Sequence, residues 1–202
     1  VLNPGNAAAT VQFSFLFDNG TAFRAARTFA ARSAGKLDVL TLPNFPSGRP
    51  YAVYFESDQA VIVDVRSNAF GQQFASASGD RAYTLWTFGE GFRPGDNSGH
   101  PGVTEHLRLY NPSSTDTEIE ITIAYDGVPG SETFRRTLPA RRVTEFNIDQ
   151  FITGSRRQSF QYYSTTIKSP TPIVAYMLHL DSAFPGGFGT LGTPLGRSAQ
   201  VS

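Results

Sequence analysis

Strict alternation of apolar and polar residues is the feature that most constrains the fold of this chain. In residues 11–17 and again in residues 119–125, every second residue is apolar. A period of two places Phe13, Phe15, Ile121 and Ile123 on the buried faces of two extended strands. Turn residues follow each segment, and no window shows a capped helical period. The sequence therefore predicts an all-β fold built from hairpins.

The two strands lie at matching places in an internal repeat. The matching segments follow one another in the same order: 3–17 with 111–125, 26–39 with 135–148, 54–65 with 166–177, and 69–74 with 183–188. Identity is low, but the order and the alternation persist. We predict two tandem β-sandwich units, residues 1–80 and 81–190, followed by a tail of residues 191–202 as a candidate edge-pairing strand.

The first unit lacks the leading part of this repeat. The second unit opens with a tryptophan strand over residues 83–92, whereas the first begins at Val1, the equivalent of Leu109. A sandwich without its leading strand has backbone donors and acceptors without partners along one edge. Three segments are candidates to cover that edge: the tail, a strand of a neighbouring copy, or sequence outside this chain. The start at "VLNPG" is typical of a processed or excised protein.

Composition removes several classes of partner and chemistry. The 17 basic and 17 acidic residues balance, so the chain has no electrostatic basis for binding nucleic acid or an anionic membrane surface. No apolar stretch is long enough to predict membrane insertion. Cysteine is absent, which excludes disulfides, thiolate zinc clusters and thiol catalysis. We predict an extracellular or cell-surface location, with the periplasm as the alternative.

Five short motifs give the chain a family resemblance: "WTFGEGFRP", "TEHLRLYNP", "IEITIAY", "LPARR" and "PIVAYMLHLDS". Their order over residues 85–182 resembles proteins like the Anabaena sensory rhodopsin transducer, and the tandem W-x-F-A-E-G repeats of bacterial surface proteins. The resemblance implies a small β-sandwich that often forms oligomers, is compared with carbohydrate-binding modules, and includes a soluble partner of a membrane photoreceptor. Tyr176 departs from it, because the family pattern has a histidine there.

Glu90 stands between two glycines at the end of the tryptophan strand. It could present a carboxylate to a sugar or to an arginine of a partner. The flanking glycines favour a structural role instead, because they relieve backbone strain and admit a close approach. We expect Arg141 or Arg142 to pair with Glu90. Alternation along a strand would point one of these two arginines inward and the other outward, and together they could bind an anion.

The histidines do not predict a metal site or a catalytic site. His100, His106 and His179 have none of the spacings typical of metal ligands, so we expect them on the surface or on strand faces. The neighbours His179, Asp181 and Ser182 cannot form a catalytic triad, which needs groups from separate segments. We predict no enzymatic activity, no metal and no cofactor.

Aromatic side chains are the best sequence indication of a ligand, because their flat faces stack on sugars and on protein partners. The polar, glycine-rich loop of residues 93–102 could add recognition. The candidate ligand-binding or partner-binding residues are Trp86, Glu90, Arg141, Arg142, Tyr162, Tyr176, His179 and Asp181.

The sequence predicts a non-catalytic structural or adhesive β-sandwich module of the cell surface. We expect it to self-associate through strand edges, as a subunit of an oligomer, filament or array. A carbohydrate-binding module with a glycan partner is one alternative. A soluble, transducer-like signalling partner is the other, and it depends on the family resemblance alone.

Overall fold

The protein consists almost entirely of β-strands, which confirms the all-β prediction. The computed structural model describes residues 1–69, 72–77, 79, 81–96, 98, 102–127, 129–181 and 186–200. Strands account for 61% of the chain, and the helical segments are single 3₁₀ turns of three or four residues. The chain divides into two compact units, Val1–Val65 and Arg66–Ser202.

The first unit is built on a three-stranded antiparallel sheet. Its strands are β1 (Leu2–Asn3), β2 (Ala9–Phe17), β3 (Ala22–Phe29), β4 (Ser33–Ala34) and β5 (Tyr51–Ser57), with a 3₁₀ turn at Val39–Thr41. The sheet has the order β3-β2-β5, and β1 pairs separately with β4. The alternating residues Val11, Phe13, Phe15 and Phe17 of β2 are buried, as the period of two predicts.

The second unit is a β-sandwich of two connected sheets. Its strands are β6 (Asp64–Ala69, which begins at the boundary), β7 (Gln72–Ala77), β8 (Arg81–Arg93), β9 (Val103–Tyr110), β10 (Thr117–Tyr125), β11 (Ser131–Leu138), β12 (Val143–Asn147), β13 (Gln161–Asp181), β14 (Gly186–Leu191) and β15 (Thr193–Gln200). The 3₁₀ turns are Ile148–Gln150 and Gly154–Arg157. The first sheet has the order β11-β10-β13-β8-β15.

Strand β13 belongs to both sheets. Its first half pairs with β10 and β8, and from Val174 onward it pairs with β9. Pro170 and Pro172 lie at the change of sheet, where the register between Lys168 and Ile173 shifts. Proline has no N–H to donate to a ladder, so it is tolerated where the strand changes partners. The second sheet therefore has the order β12-β9-β13-β14.

One hydrophobic core joins the two sheets of the second unit. Its fully buried members come from both sheets and from the segment after β12: Leu107, Leu109, Ile119, Ile121, Ile123, Leu138, Ile148, Phe151, Ile152 and Ile167. Burial of this apolar surface is the main favourable term in folding. None of the helices in the described parts of the chain has the length and apolarity needed to cross a membrane.

A buried asparagine closes the loop after β9. The side-chain amide of Asn111 donates to the carbonyls of Thr115, at 3.0 Å, and Leu138, at 3.1 Å. Its Oδ1 accepts the N–H of Ser113 at 3.0 Å. Asn111 is 0% exposed, so these bonds satisfy polar groups that water cannot reach.

The first unit repeats this arrangement residue for residue. Asn3 is also 0% exposed, and its amide donates to the carbonyls of Ala7, at 2.8 Å, and Phe29, at 3.2 Å. Its Oδ1 accepts the N–H of Gly5 at 3.0 Å. Each partner is the residue that the internal repeat aligns with the partner of Asn111. The two units therefore share one local structure, which supports the repeat.

The two units differ at one sheet edge. In the first unit β5 is the outermost strand, and no strand among the described residues pairs with its other edge. The tail, one of the three candidates to cover that edge, is an edge-pairing strand at a different place. The tail forms β15, which pairs with β8 of the second unit, with Leu195 opposite Leu85 and Ala199 opposite Ala82.

Replacing Asn111 by alanine should lower the free energy of unfolding by about 1 to 3 kcal/mol, because the carbonyls of Thr115 and Leu138 lose the donor that the Asn111 amide provides. Urea denaturation followed by tryptophan fluorescence would measure the change. Ser114→Ala, in the exposed part of the same loop, is the control and should stay within about 0.5 kcal/mol of the wild type. Equal effects of the two substitutions would contradict the role assigned to Asn111.

Candidate functional site

The glycine-rich segment of the tryptophan strand is a β-bulge. On the neighbouring strand β13, Tyr163 pairs with Gly91 and Thr165 pairs with Phe88. One residue of β13 therefore lies opposite two residues of β8, Gly89 and Glu90. Such an insertion bends the strand and interrupts its alternation.

The bulge explains why both halves of β8 bury side chains. Before it, Trp86 and Phe88 are 2% and 3% exposed. After it, Arg93 is 6% exposed and Gly91 is buried as well, so the buried residues change from even to odd positions. Without the extra residue, one of the two halves would turn its buried face to solvent.

Gly91 makes room for a tyrosine ring. A Cβ atom at this position would lie 2.2 Å from Cε2 of Tyr163, far inside van der Waals contact. At Gly89, two residues earlier, a Cβ atom would meet nothing within 4 Å. The two glycines that flank Glu90 therefore have different roles, and only Gly91 is required by packing.

The hydroxyl of Tyr163 leads to a buried carboxylate. It donates to Oε2 of Glu105 at 2.5 Å. Oε1 of Glu105 accepts the backbone N–H of Phe92 at 3.0 Å and contacts Nδ1 of His179 at 2.8 Å. The Glu105 side chain is 1% exposed, so three partners from β8 and β13 replace water around it. We call Glu105, Tyr163 and His179 the carboxylate cluster.

The cluster shifts the pKa values of its members. The hydrogen bond to Glu105 raises the pKa of His179 above its ordinary value of about 6.5, against the lowering effect of burial. Glu90 and Asp181 raise that pKa further through their charge. Burial, with the neighbouring Glu105, raises the pKa of Tyr163 well above its ordinary value. The cluster therefore favours a protonated histidine and a neutral tyrosine.

His179 is also held by stacking. Its ring lies parallel to that of Phe188 on β14, with centroids 4.8 Å apart and an interplanar angle of 7°. The side chain is 16% exposed, so one edge of it reaches solvent. The structure thus places three of the candidate residues, Glu90, His179 and Asp181, within electrostatic reach of one another.

Trp86 is a core residue and not a surface for a ligand. Its indole N–H donates to the carbonyl of Ile173 at 2.8 Å, and Tyr83 meets its ring edge to face at 5.3 Å. The hydrogen bond ties β8 to β13 at the point where β13 changes sheets. The expectation that Trp86 stacks on a ligand is therefore wrong, because 98% of its surface is covered by the protein's own side chains and backbone.

The two arginines expected to pair with Glu90 do not reach it. Arg141 and Arg142 are both exposed and lie in the turn before β12. Arg141 has a φ of 51°, outside the extended region, so strand alternation does not apply to it. Within the described residues neither arginine forms an ion pair with Glu90. The predicted pairing, and the inward orientation of one arginine, are wrong.

Tyr162 lies in an exposed aromatic group on the outer face of β8 and β13. Its ring centroid is 5.1 Å from that of Phe92, which stacks on Phe160 at 6.0 Å. Tyr162 and Phe160 are 59% and 51% exposed. Tyr176 is separate and packs with Leu178 and Leu180. Glycan binding stays a prediction, and Tyr162 is the candidate residue with a free aromatic face.

The loop after β8 begins in a network of charged residues. Arg93 donates to Asp149 at 2.5 Å and also to Asp96. Arg157 donates to the same two carboxylates, at 3.2 Å each. Two arginines and two aspartates thus fix the start of the loop to the 3₁₀ turns. His100 and Ser182, which the sequence also singled out, lie outside the described residues.

His106 lies on β9, as expected for a strand-face histidine. Its Nδ1 is 3.0 Å from Oε1 of Glu145, and Nε of Arg108 is 2.6 Å from Oε2. His106 and then Arg108 lower the pKa of Glu145 to about 2, against the effect of burial. Across the part of the chain that the structure describes, no group of three His, Asp or Glu side chains is arranged to hold a metal ion.

Sequence reasoning missed Glu105 as the centre of the site, although a signal was present. Glu105 shares the buried phase of β9 with Leu107 and Leu109, which are both 0% exposed. A carboxylate in an apolar phase needs donors, because an unpaired buried charge costs several kcal/mol. Those donors come from strands distant in sequence, so spacing could not identify them.

Substituting Gly91 by alanine should destabilise the protein by about 1 to 3 kcal/mol or more, because the new methyl group would overlap the ring of Tyr163. Gly89→Ala is the matched control and should change stability by no more than about 0.5 kcal/mol, since its Cβ would meet nothing. Thermal unfolding of both variants measures the difference. The assigned role of Gly91 is wrong if the two variants melt together.

The carboxylate cluster should make stability depend on pH. Because the folded-state pKa of His179 is raised, the ion pair contributes fully below the unfolded value of about 6.5 and is lost as pH rises through the higher folded pKa. The gap in unfolding free energy between wild type and His179→Phe should therefore shrink above about pH 6.5. Denaturation from pH 5.5 to 9 measures it, and a constant gap would contradict the pairing.

Comparisons with known proteins agree with the sequence motifs. The family model described as "Anabaena sensory rhodopsin transducer" matches residues 78–186, more than half of the chain. Two solved structures are similar. "Crystal Structure of Thermotoga maritima 1070" is 18% identical over 56% of this chain and 96% of that one, with a TM-score of 0.48. "Anabaena sensory rhodopsin transducer" is 27% identical over 52% and 96%, with a TM-score of 0.40.

No curated protein matches the sequence. The family match spans the tryptophan strand, the bulge, Glu105, Tyr163 and His179, so it covers the complete carboxylate cluster. It confirms the resemblance drawn from the sequence motifs. The chain belongs to the Anabaena sensory rhodopsin transducer family.

Proposed function

We propose that this protein is a non-catalytic module that associates with copies of itself through the edge of β5. One observation carries the proposal: β5 has a strand on one side only, among the described residues, whereas its repeat counterpart in the second unit has one on each side. An uncovered edge presents backbone donors and acceptors that pair with an added strand.

Side chains of β5 are less buried than their counterparts in β13, and this difference supports the proposal. In β13, Thr165 and Ile167 are 1% and 0% exposed, and β8 pairs beside them. Their counterparts in β5, Val53 and Phe55, are only half-buried and pack at the margin of the first core. A strand added at this edge would remove that apolar surface from water as well as satisfying backbone groups.

A second copy of the chain is the occupant that we propose. The chain is rich in strands, and its net charge is zero at neutral pH, so two copies do not repel each other electrostatically. Association of this kind fits a structural or adhesive role in an oligomer or array. An extracellular or cell-surface site of action stays a prediction, and the absence of cysteine is compatible with it.

Val53→Lys should abolish self-association, because an ammonium group at the margin of the core would be buried without a partner on strand addition. The association constant should fall by roughly a hundredfold or more, as sedimentation equilibrium would show. Val53→Thr is the matched control, since threonine is the residue that the second unit carries at this position.

The wild type and Val53→Thr should sediment as oligomers that dissociate on dilution, and Val53→Lys should sediment as a folded monomer by circular dichroism. A wild-type chain that stays monomeric at millimolar concentration would overturn the proposal. Equal association of the lysine and threonine variants would show that copies meet elsewhere.

A signalling role is the second candidate, and family membership favours it. The solved relative is called a sensory rhodopsin transducer, which names a partner of a photoreceptor. Under this alternative the same chain would bind a sensory rhodopsin. Binding of the purified chain to such a receptor in detergent, measured by surface plasmon resonance, would support it. If Val53→Lys abolished this binding, the result would indicate that the receptor binds at the edge of β5.

A further inference from the structure

We infer that the outer edge of β8 is a second pairing surface, which takes the same strand of another copy and which β15 covers within this chain. The inference goes beyond the proposed function, because it concerns the second unit and a different strand edge. It rests on the sequence of the tail, on the register of its pairing and on how little of β15 is buried.

The tail repeats the beginning of the tryptophan strand. Residues 79–83 read Gly-Asp-Arg-Ala-Tyr and residues 196–200 read Gly-Arg-Ser-Ala-Gln, with glycine and alanine at the same places. The order of elements agrees, since β15 follows β14 as β8 follows β7, and the repeat aligns β7 with β14. By sequence and by place, β15 corresponds to the start of another β8.

The register between the two strands is that of a twofold pair. Ala199 lies opposite Ala82, its own repeat counterpart. Ser198, the counterpart of Arg81, lies opposite Tyr83, and Gln200, the counterpart of Tyr83, lies opposite Arg81. In an antiparallel pair related by a twofold axis, residue i meets j and residue j meets i. Residues 81–83 of a second copy would therefore fit against residues 81–83 of this edge in the same register.

The homotypic pair would gain contacts that β15 does not make. It would place Arg81 of each copy opposite Tyr83 of the other, where a guanidinium can lie against an aromatic ring. With β15, Arg81 instead donates to Oγ of Ser198 at 3.3 Å, and Tyr83 lies opposite Ser198. The two copies of Arg81 would lie at opposite ends of the pair, so their charges would not repel each other closely.

β15 is held weakly for a strand in a sandwich. The side chains from Thr193 to Ser198 are exposed, and Leu195 is 48% exposed. A bulge interrupts its pairing, because Gly196 and Arg197 lie opposite the single residue Thr84. Gly196 has a φ of 79°, which other residues rarely adopt. A strand that buries so little can be displaced by one that makes better contacts.

Disulfide trapping tests this inference, because the chain has no cysteine of its own. Ala82→Cys places a thiol where the twofold axis would pass, and two such cysteines would lie opposite each other at a distance that a disulfide can span. Gly196→Val should detach β15 from β8. The new Cβ would lie 2.8 Å from Oγ1 of Thr84, and valine avoids the positive φ of this position. All variants carry Val53→Lys, which removes any association through β5.

Under mild oxidation, Ala82→Cys with Gly196→Val should give roughly tenfold more disulfide-linked dimer than Ala82→Cys alone, as expected for a cover destabilised by a strained residue. Ala82→Cys with Ala199→Cys should instead form an internal bridge, which checks the register. Gly48→Val is the control for strain, because Gly48 has a φ of 78° in the first unit. It should not raise the dimer yield.

The exposed Ser114→Cys with Gly196→Val controls for random collisions and should give little dimer. The inference fails if Ser114→Cys with Gly196→Val gives as much dimer as Ala82→Cys with Gly196→Val. It also fails if Ala82→Cys with Gly196→Val stays monomeric while Ala82→Cys with Ala199→Cys forms its internal disulfide. Because β5 is blocked throughout, these outcomes are independent of whether the wild type associates through β5.

Discussion

Every strand carries backbone donors and acceptors on two edges, and this protein is organised by how those edges are filled. β13 fills both of its edges twice, once in each sheet, by changing partners at Pro170 and Pro172. β8 lies between β13 and β15. β5 has a strand on one side only among the described residues, whereas its repeat counterpart β13 has one on each side. Hydrogen-bonding capacity that a unit leaves unused is the physical basis of the association that we propose.

The second constraint is that the buried charge of Glu105 needs hydrogen-bond donors. It depends on the first, because strand pairing brings those donors to the carboxylate. Glu105 can be buried only because the bulge in β8 aims the N–H of Phe92 at it and Gly91 admits the ring of Tyr163. The bulge is therefore part of the support for the carboxylate and also corrects the phase of the strand. The glycine–glutamate–glycine segment of β8 acquires a structural meaning in this way, with Glu90 as the exposed charged residue of the insertion.

Much of the fold follows from the sequence, and less of the site does. Alternation identified β2 and β10 and their buried residues, because a period of two is local and survives in a single sequence. The internal repeat predicted the unpaired sheet edge of the first unit for the same reason, because a repeat can also be identified in a single sequence. The partners of Glu90 and Glu105 could not be predicted, since they depend on a one-residue bulge and on pairing between distant strands. Arg141 was misread because a turn with positive φ ended the alternation that the prediction assumed.

The core of the first unit is built from larger side chains than the equivalent part of the second. Where β10 carries Ile121 and Ile123, β2 carries Phe13 and Phe15. Phe45 meets the ring of Phe15 edge to face at 5.0 Å and lies among further aromatic rings. In the second unit that space is shared with Trp86 and Phe88 from β8. Interiors must be filled to close packing, so the aromatic rings of the first unit fill volume that Trp86 and Phe88 fill in the second. Side chains fill volume but provide no backbone partners, so among the described residues the outer edge of β5 has no partner strand although apolar side chains pack beside it.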